Sequence, residues 1–134
     1  MSAGGAPERR RVSSGSPWEP VIGFSRALRA GGRVLVAGTG PVQPDGSCPD
    51  GARAQAQRAF EIALEALEQA GGSAAEVVRT RMYLIDAADA GAVGAVHAEL
   101  FAAAPPVATM VVVAALLDPR WRVEVELEAE LAQR

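Results

Sequence analysis

Lysine is missing from the chain altogether: every basic side chain among its 134 residues is an arginine, apart from the single His97. That absence excludes Schiff-base chemistry on a lysine amine, and it excludes a P-loop. Cysteine is almost absent as well. Cys48 stands alone in a Gly/Asp/Pro-rich stretch, so there is no intrachain disulfide framework and no cysteine-based metal site. No base accompanies it in the pattern, which argues against a nucleophilic thiol. One histidine cannot build a multi-histidine metal centre within a chain. No apolar run approaches the roughly 18 residues of a membrane span. The Arg9-Arg10-Arg11 cluster is followed by no apolar segment of the kind a secretory signal needs, so a cytoplasmic protein is expected. A net charge of −3 is not the footprint of a nucleic-acid binder.

What is present is apolar and patterned. Hydrophobic residues make up 49% of the chain, enough for one domain to bury a core without staples. Residues 1–17, rich in Gly, Ser, Pro and Arg, are expected to be disordered, with the domain occupying 18–134. Val21 to Leu28 and Arg33 to Ala37 read as short strands joined by Arg29-Ala30-Gly31-Gly32, and Thr39 to Asp50 as a loop. From Ala52 to Ala70, Phe60, Ala63, Leu64 and Leu67 recur at helical spacing, and Gly71-Gly72 ends the run. Ser73 and Glu76 have capping-box spacing and predict a short turn.

Val77 to Ile85 reads as a strand with Val78, Thr80, Met82 and Leu84 on one face and Arg79, Arg81 and Tyr83 on the other. Val93, Val96, Leu100 and Phe101 give a second helix, stopped by Pro105-Pro106. Val107 to Leu116 is near-continuously apolar, as in a strand covered on both faces. In Trp121 to Leu131, apolar residues alternate strictly with Arg122, Glu124, Glu126, Glu128 and Glu130, a period of two. The order ββαβαββ predicts an α+β fold with two helices on one face of a mixed sheet. The opposite face, and the doubly apolar strand, favour an oligomer.

The Glu row has two readings. It is a solvated face that discourages edge pairing, or one of its members lies beneath a cleft as a proton acceptor tuned by burial. His97 is either a helix-surface or interface side chain or a group that meets the reacting atoms. Gly38-Thr39-Gly40, directly after a strand, offers backbone N–H groups and a hydroxyl, a pattern that also makes a simple turn.

Five stretches come in a familiar order and spacing: Gly23-Phe24-Ser25-Arg26-Ala27, Val34 to Gly40, Val78 to Asp86, Pro106 to Val113, and Val125 to Ala129. From about Trp18 onward the chain resembles the Rid/YjgF family, the reactive-intermediate deaminases. The resemblance implies a chorismate-mutase-like fold and a homotrimer holding small-molecule clefts between adjacent subunits, with no metal or cofactor. It further implies hydrolysis of enamines and imines released by pyridoxal-phosphate enzymes. Carried over by position, Glu126 is the acidic residue associated with the attacking water, and Phe24 lines the cleft beside Ser25. Gly38 and Thr39 form the adjoining loop, and Thr109 and Met110 face the cleft. Tyr83 and His97 are further contact candidates.

One departure stands out. The active deaminases clamp the substrate carboxylate with an arginine where this chain has Ala108, and alanine reproduces nothing of a bidentate fork. Arg26 or Arg81 would have to reach the cleft from elsewhere; the simpler expectation is that both are structural or at the surface. A ligand without a free carboxylate, or with one placed differently, is therefore expected. The rival expectation is a non-catalytic binding or regulatory trimer that kept the cleft and lost the chemistry.

Overall fold

A computed structural model describes residues 8–132. Six strands form one sheet: β1 (Arg9–Val12), β2 (Ala27–Ala30), β3 (Arg33–Thr39), β4 (Val77–Leu84), β5 (Val107–Val112) and β6 (Val123–Glu130). Two helices, α1 (Ala52–Gln69) and α2 (Ala90–Phe101), pack on one face. The spatial order is β1-β2-β3-β6-β4-β5; β4 and β5 run parallel and every other pair antiparallel. The mixed sheet with two helices on one side is the expected α+β arrangement, with β1 added at its edge.

The strict alternation of β6 is realised at the centre of the sheet. Val123, Val125, Leu127 and Ala129 are buried under the helices, against Phe60 and Leu67 of α1 and Val93 and Val96 of α2. Glu124, Glu126 and Glu128 turn to the open face. Because β6 lies between β3 and β4, these glutamates do not guard an edge; Glu126 and Glu128 pair with arginines of neighbouring strands. Gln55, buried in the first turns of α1, fastens the end of the sheet. Its amide donates to the Pro49 and Arg120 carbonyls and accepts from the Arg122 N–H. Arg122 in turn makes a two-point ion pair with the buried Asp89 carboxylate ahead of α2.

Several expectations need correction. Residues 1–7 of the segment expected to be disordered lie outside the described residues, but Arg9–Val12 is an edge strand paired with β2. Ser14 to Glu19 is ordered too: the buried Glu19 carboxylate accepts from the Ser14 N–H and hydroxyl and from the Ser16 N–H. An arginine-rich strand has no apolar period to betray it; backbone pairing and one buried side chain, Val12, hold it. The first half of the strand expected over Val21 to Leu28 is instead a wide helical turn, Glu19–Gly23, closed by the Phe24 N–H on the Glu19 carbonyl. Pro20 near its start supplies a helical φ and no amide to satisfy.

On β4 a register shift between Val77 and Arg79 inverts the alternation, so Val77, not Val78, is buried beside Thr80, Met82 and Leu84. Leu100 is exposed while Phe101 fills the core. Finally, β5 is not covered on both faces within the chain. It is an edge strand on which Val107, Val111 and Val112 are exposed.

If the core is organised around β6, Leu127→Ala should cost about 2–5 kcal/mol of unfolding free energy. Glu130→Ala, at the exposed end of the same strand, should change it by about 0.5 kcal/mol or less. Urea denaturation of the two variants measures both.

Candidate functional site

The open face gathers most of the chain's polar chemistry on neighbouring strands. Arg79, Arg81 and Tyr83 of β4 stand beside Glu128, Glu126 and Glu124 of β6, and Leu35 of β3 flanks Glu128 on the other side. Glu128 is the most fully paired. Arg33, Arg79 and Arg81 all reach it, and the Arg33 hydrogen bond leads in holding its carboxyl below the usual range. Glu126 accepts a short hydrogen bond from the Tyr83 hydroxyl, with the Arg81 guanidinium 3.7 Å away. That hydrogen bond, more than burial, raises the Tyr83 pKa.

Glu124 is different. Among the described residues it accepts no hydrogen bond, and it feels Arg26 and Glu126 only through space. Burial pushes its carboxyl above the ordinary range; Arg26 opposes the rise and Glu126 adds to it. Its surroundings come from a bulge. Between Val36 and Thr39 the pairing of β3 with β6 slips, so that Thr39 turns inward beside Val125 while Gly38 faces Glu124. A Cβ at Gly38 would sit 3.0 Å from Glu124 Oε1, so glycine lets the carboxylate lie against the strand. At Gly40 the constraint is tighter, because any Cβ there would run into the Trp121 indole.

Arg26 holds this corner together. Buried, it donates to the Gly38 carbonyl at 2.6 Å, to Thr39 Oγ1 at 3.1 Å and to Ser14 Oγ at 3.2 Å, and its guanidinium lies 5.2 Å from the centre of the Phe24 ring. Burial lowers its pKa, and Glu19 and Glu124 counter that.

Two recesses open here, and Phe24 lines both. One, about 790 Å³, has Ser25, Leu35, Arg81 and Glu126 on its walls. The other, about 960 Å³ and more enclosed, is bounded by Trp18, Gly38, Thr39, Trp121 and Glu124.

The residues singled out from the sequence therefore separate. Phe24, Ser25, Gly38, Thr39, Tyr83 and Glu126 are gathered on or beside the open face. Thr109, opposite Arg81, shares that side but lies on the exposed edge strand. Ala108 and Met110 stand opposite Thr80 and Met82 and so share the helix side, with the Met110 methyl near Gly94 of α2. His97 is on that side too: its Nε2 lies 2.7 Å from Thr80 Oγ1, and its ring packs between Phe60 and Phe101. Within one chain the sheet separates His97 from Glu126. Glu124 is what the sequence left unchosen. Four glutamates at a period of two share one face, and only the bulge and Arg26, contributed by other elements, set one apart. Among the described residues no group of His, Cys, Asp and Glu could hold a metal, and no helix is long and apolar enough to cross a membrane.

A family model described as endoribonuclease L-PSP matches residues 15–131. The chain belongs to the YjgF/L-PSP family. A crystal structure from Mycobacterium tuberculosis, described as a member of the YjgF/YER057c/UK114 family, superposes with a TM-score of 0.86 at 43% identity, covering 92% of this chain and all of that one. A Streptomyces coelicolor protein described as uncharacterized is 46% identical over 121 residues, 90% of each chain. A RutC family protein of Pyrococcus abyssi is 33% identical over 100 residues, 73% of this chain and 79% of its own.

Burial alone holds His97 below its ordinary pKa, so the fold favours the neutral ring. Its unfolded value lies above its folded one, so this stability is fully present above about pH 6.5 and is lost as the pH falls toward the lowered folded value. In a comparison of unfolding free energies from pH 7 to 5, His97→Gln should lose less stability than the parent. Equal slopes would mean that the native ring accepts a proton without penalty.

Proposed function

We propose that this YjgF-family chain hydrolyses a reactive imine or enamine, or a related small carbonyl intermediate, with Glu124 as the proton acceptor for the attacking water. The observation that carries this reading is a carboxylate without a hydrogen-bond partner, raised by burial, on the wall of a recess beside Phe24, Gly38 and Thr39. A general base works best with its pKa moved toward the working pH, and burial moves Glu124 in that direction. In the reaction, water adds to the C=N carbon while Glu124 takes a proton from it. The carbinolamine then expels ammonia as its C–N bond breaks, the nitrogen leaves protonated, and a C=O bond remains. Tyr83 and Arg81 occupy Glu126, which then serves the electrostatics of the recess; it is the acidic position implied by the family resemblance and remains the alternative acceptor.

The functional assembly in this reading is a homotrimer with ligand clefts at its subunit interfaces. Support comes from β5, whose exposed Val107, Val111 and Val112 make an apolar edge of a kind usually covered by a partner. A neighbouring subunit would also bring Ala108, Thr109 and Met110 of its own β5 into play. RNA is disfavoured as substrate: the chain is net negative, and Arg33, Arg79 and Arg81 of the open face are engaged by its glutamates. A cytoplasmic setting suits chemistry on metabolic imines. A non-catalytic binding or regulatory trimer is the second reading, favoured by Ala108 in place of the clamp.

Two results test the proposal. Ammonia release should be followed from imines generated in place by an amine or amino-acid oxidase. Glu124→Gln should lower it by about 10²-fold or more, the usual contribution of a general base, and Glu126→Gln by much less. The reverse ranking would return the role to Glu126, and no acceleration by the parent protein would favour the binder. Separately, Val111→Asp should shift sedimentation from trimer toward monomer; a monomeric parent protein would remove the interface from the account.

A further inference from the structure

The more enclosed recess has three arginines and three carboxylates on its walls, so its preference for ligand charge depends on which of them are already taken. The arginines are largely taken. Arg26 directs Nε and Nη1 at the Ser14 and Thr39 hydroxyls and the Gly38 carbonyl, and its guanidinium lies beside the Phe24 ring. Arg58 donates to the Val42 carbonyl and pairs with Glu61. Arg120 forms a fork with Asp118 and donates to the Gly46 carbonyl, which also occupies that carboxylate. Two carboxylates remain, Glu124 inside and the exposed Glu65. Around them the lining is apolar and aromatic: Trp18, Ile22, Phe24, Val42, Leu117 and Trp121. The Trp121 Nε1–H is buried with no hydrogen-bond partner beyond a weak interaction with the Cys48 thiol, so the indole serves this wall as a flat apolar surface.

We infer that this recess selects a cationic or hydrogen-bond-donating ligand with an aromatic or bulky apolar body, such as an iminium or ammonium compound, and rejects carboxylates of the same shape. The inference deepens the proposed hydrolase reading and rests on it for the site, though not for turnover. The physical logic is an aromatic cage closed by one acceptor. Ring faces attract a desolvated cation, and Glu124 supplies a charge-assisted hydrogen bond at the far end. A carboxylate would meet Glu124, and each guanidinium on the wall already has at least two of its three nitrogens engaged, so none offers a free two-point fork to offset the repulsion. The missing clamp at Ala108 then belongs to a change in ligand charge class.

Both tryptophans of the chain line the recess, so their fluorescence reports its occupancy. The probes are 2-phenylethylamine, protonated at pH 7, and phenylacetate, which carries the same ring with the opposite charge. The amine should quench the emission saturably, and phenylacetate should bind at least tenfold more weakly. Glu124→Gln should weaken the amine about tenfold or more, the loss of one hydrogen bond to a charged group, and should strengthen phenylacetate by relieving the repulsion, without lowering the melting temperature. Equal or tighter binding of phenylacetate by the parent protein overturns the inference, as does an unaltered amine affinity in Glu124→Gln or no binding of either probe. Selective amine binding without hydrolysis of any imine would uphold the charge preference and defeat the hydrolase reading alone.

Discussion

Strand β6 joins the β1-β2-β3 side of the sheet to the β4-β5 side, and its two-residue period decides what each face of the sheet can be. Val123, Val125, Leu127 and Ala129 give α1 and α2 a common surface to bury. The same alternation obliges Glu124, Glu126 and Glu128 to share the other face. A one-residue slip would exchange the sets, placing carboxylates beneath the helices. The core and the candidate site are therefore two consequences of one register, held against slippage by buried apolar area on one side and carboxylate–arginine contacts on the other.

Within that row the three carboxylates have been given different environments by residues from elsewhere. Glu128 sits among Arg33, Arg79 and Arg81, and Glu126 beneath the Tyr83 hydroxyl. Glu124 is left beside Arg26, whose Nε and Nη1 donors are directed at Ser14 and at the bulged end of β3. Arg26 thus supplies positive potential without direct contact, enough to moderate the Glu124 pKa without returning it to the ordinary range. Separating neighbouring acidic groups by environment is a general way to obtain an ionised stabiliser and a protonatable group on one surface.

Most of the fold was legible wherever a period could be read. The helical stripe through Phe60, Ala63 and Leu67 and the alternation from Trp121 to Leu131 both survive intact, since each reports a face that must be buried. What escaped was decided by partners. Arg9–Val12 is a strand only because β2 offers it an edge, and Val78 points outward because of the register shift beside it. The turn at Glu19–Gly23 carries Val21 and Ile22, apolar but exposed, and so imitates a strand. Of the candidate site, the family's motifs drew attention to Phe24, Ser25, Gly38 and Thr39, which line its two recesses. The choice between Glu124 and Glu126 was not legible, since alternation places them on one face and only the β3 bulge, Arg26 and Tyr83, all from other elements, tell them apart. Nor could spacing reveal that His97, facing Thr80, lies on the opposite side of the sheet from both.

The central claim is that the chain keeps one carboxylate on this face unpaired and raised while its neighbour two strand pleats away is held low. Side-chain carboxyl titration by carbon-13 NMR, with assigned Glu124 and Glu128 resonances, tests it most directly. The account predicts that Glu124 titrates above the ordinary glutamate range and Glu128 below it. Coincident titrations, or a Glu124 that titrates lower than Glu128, would contradict it.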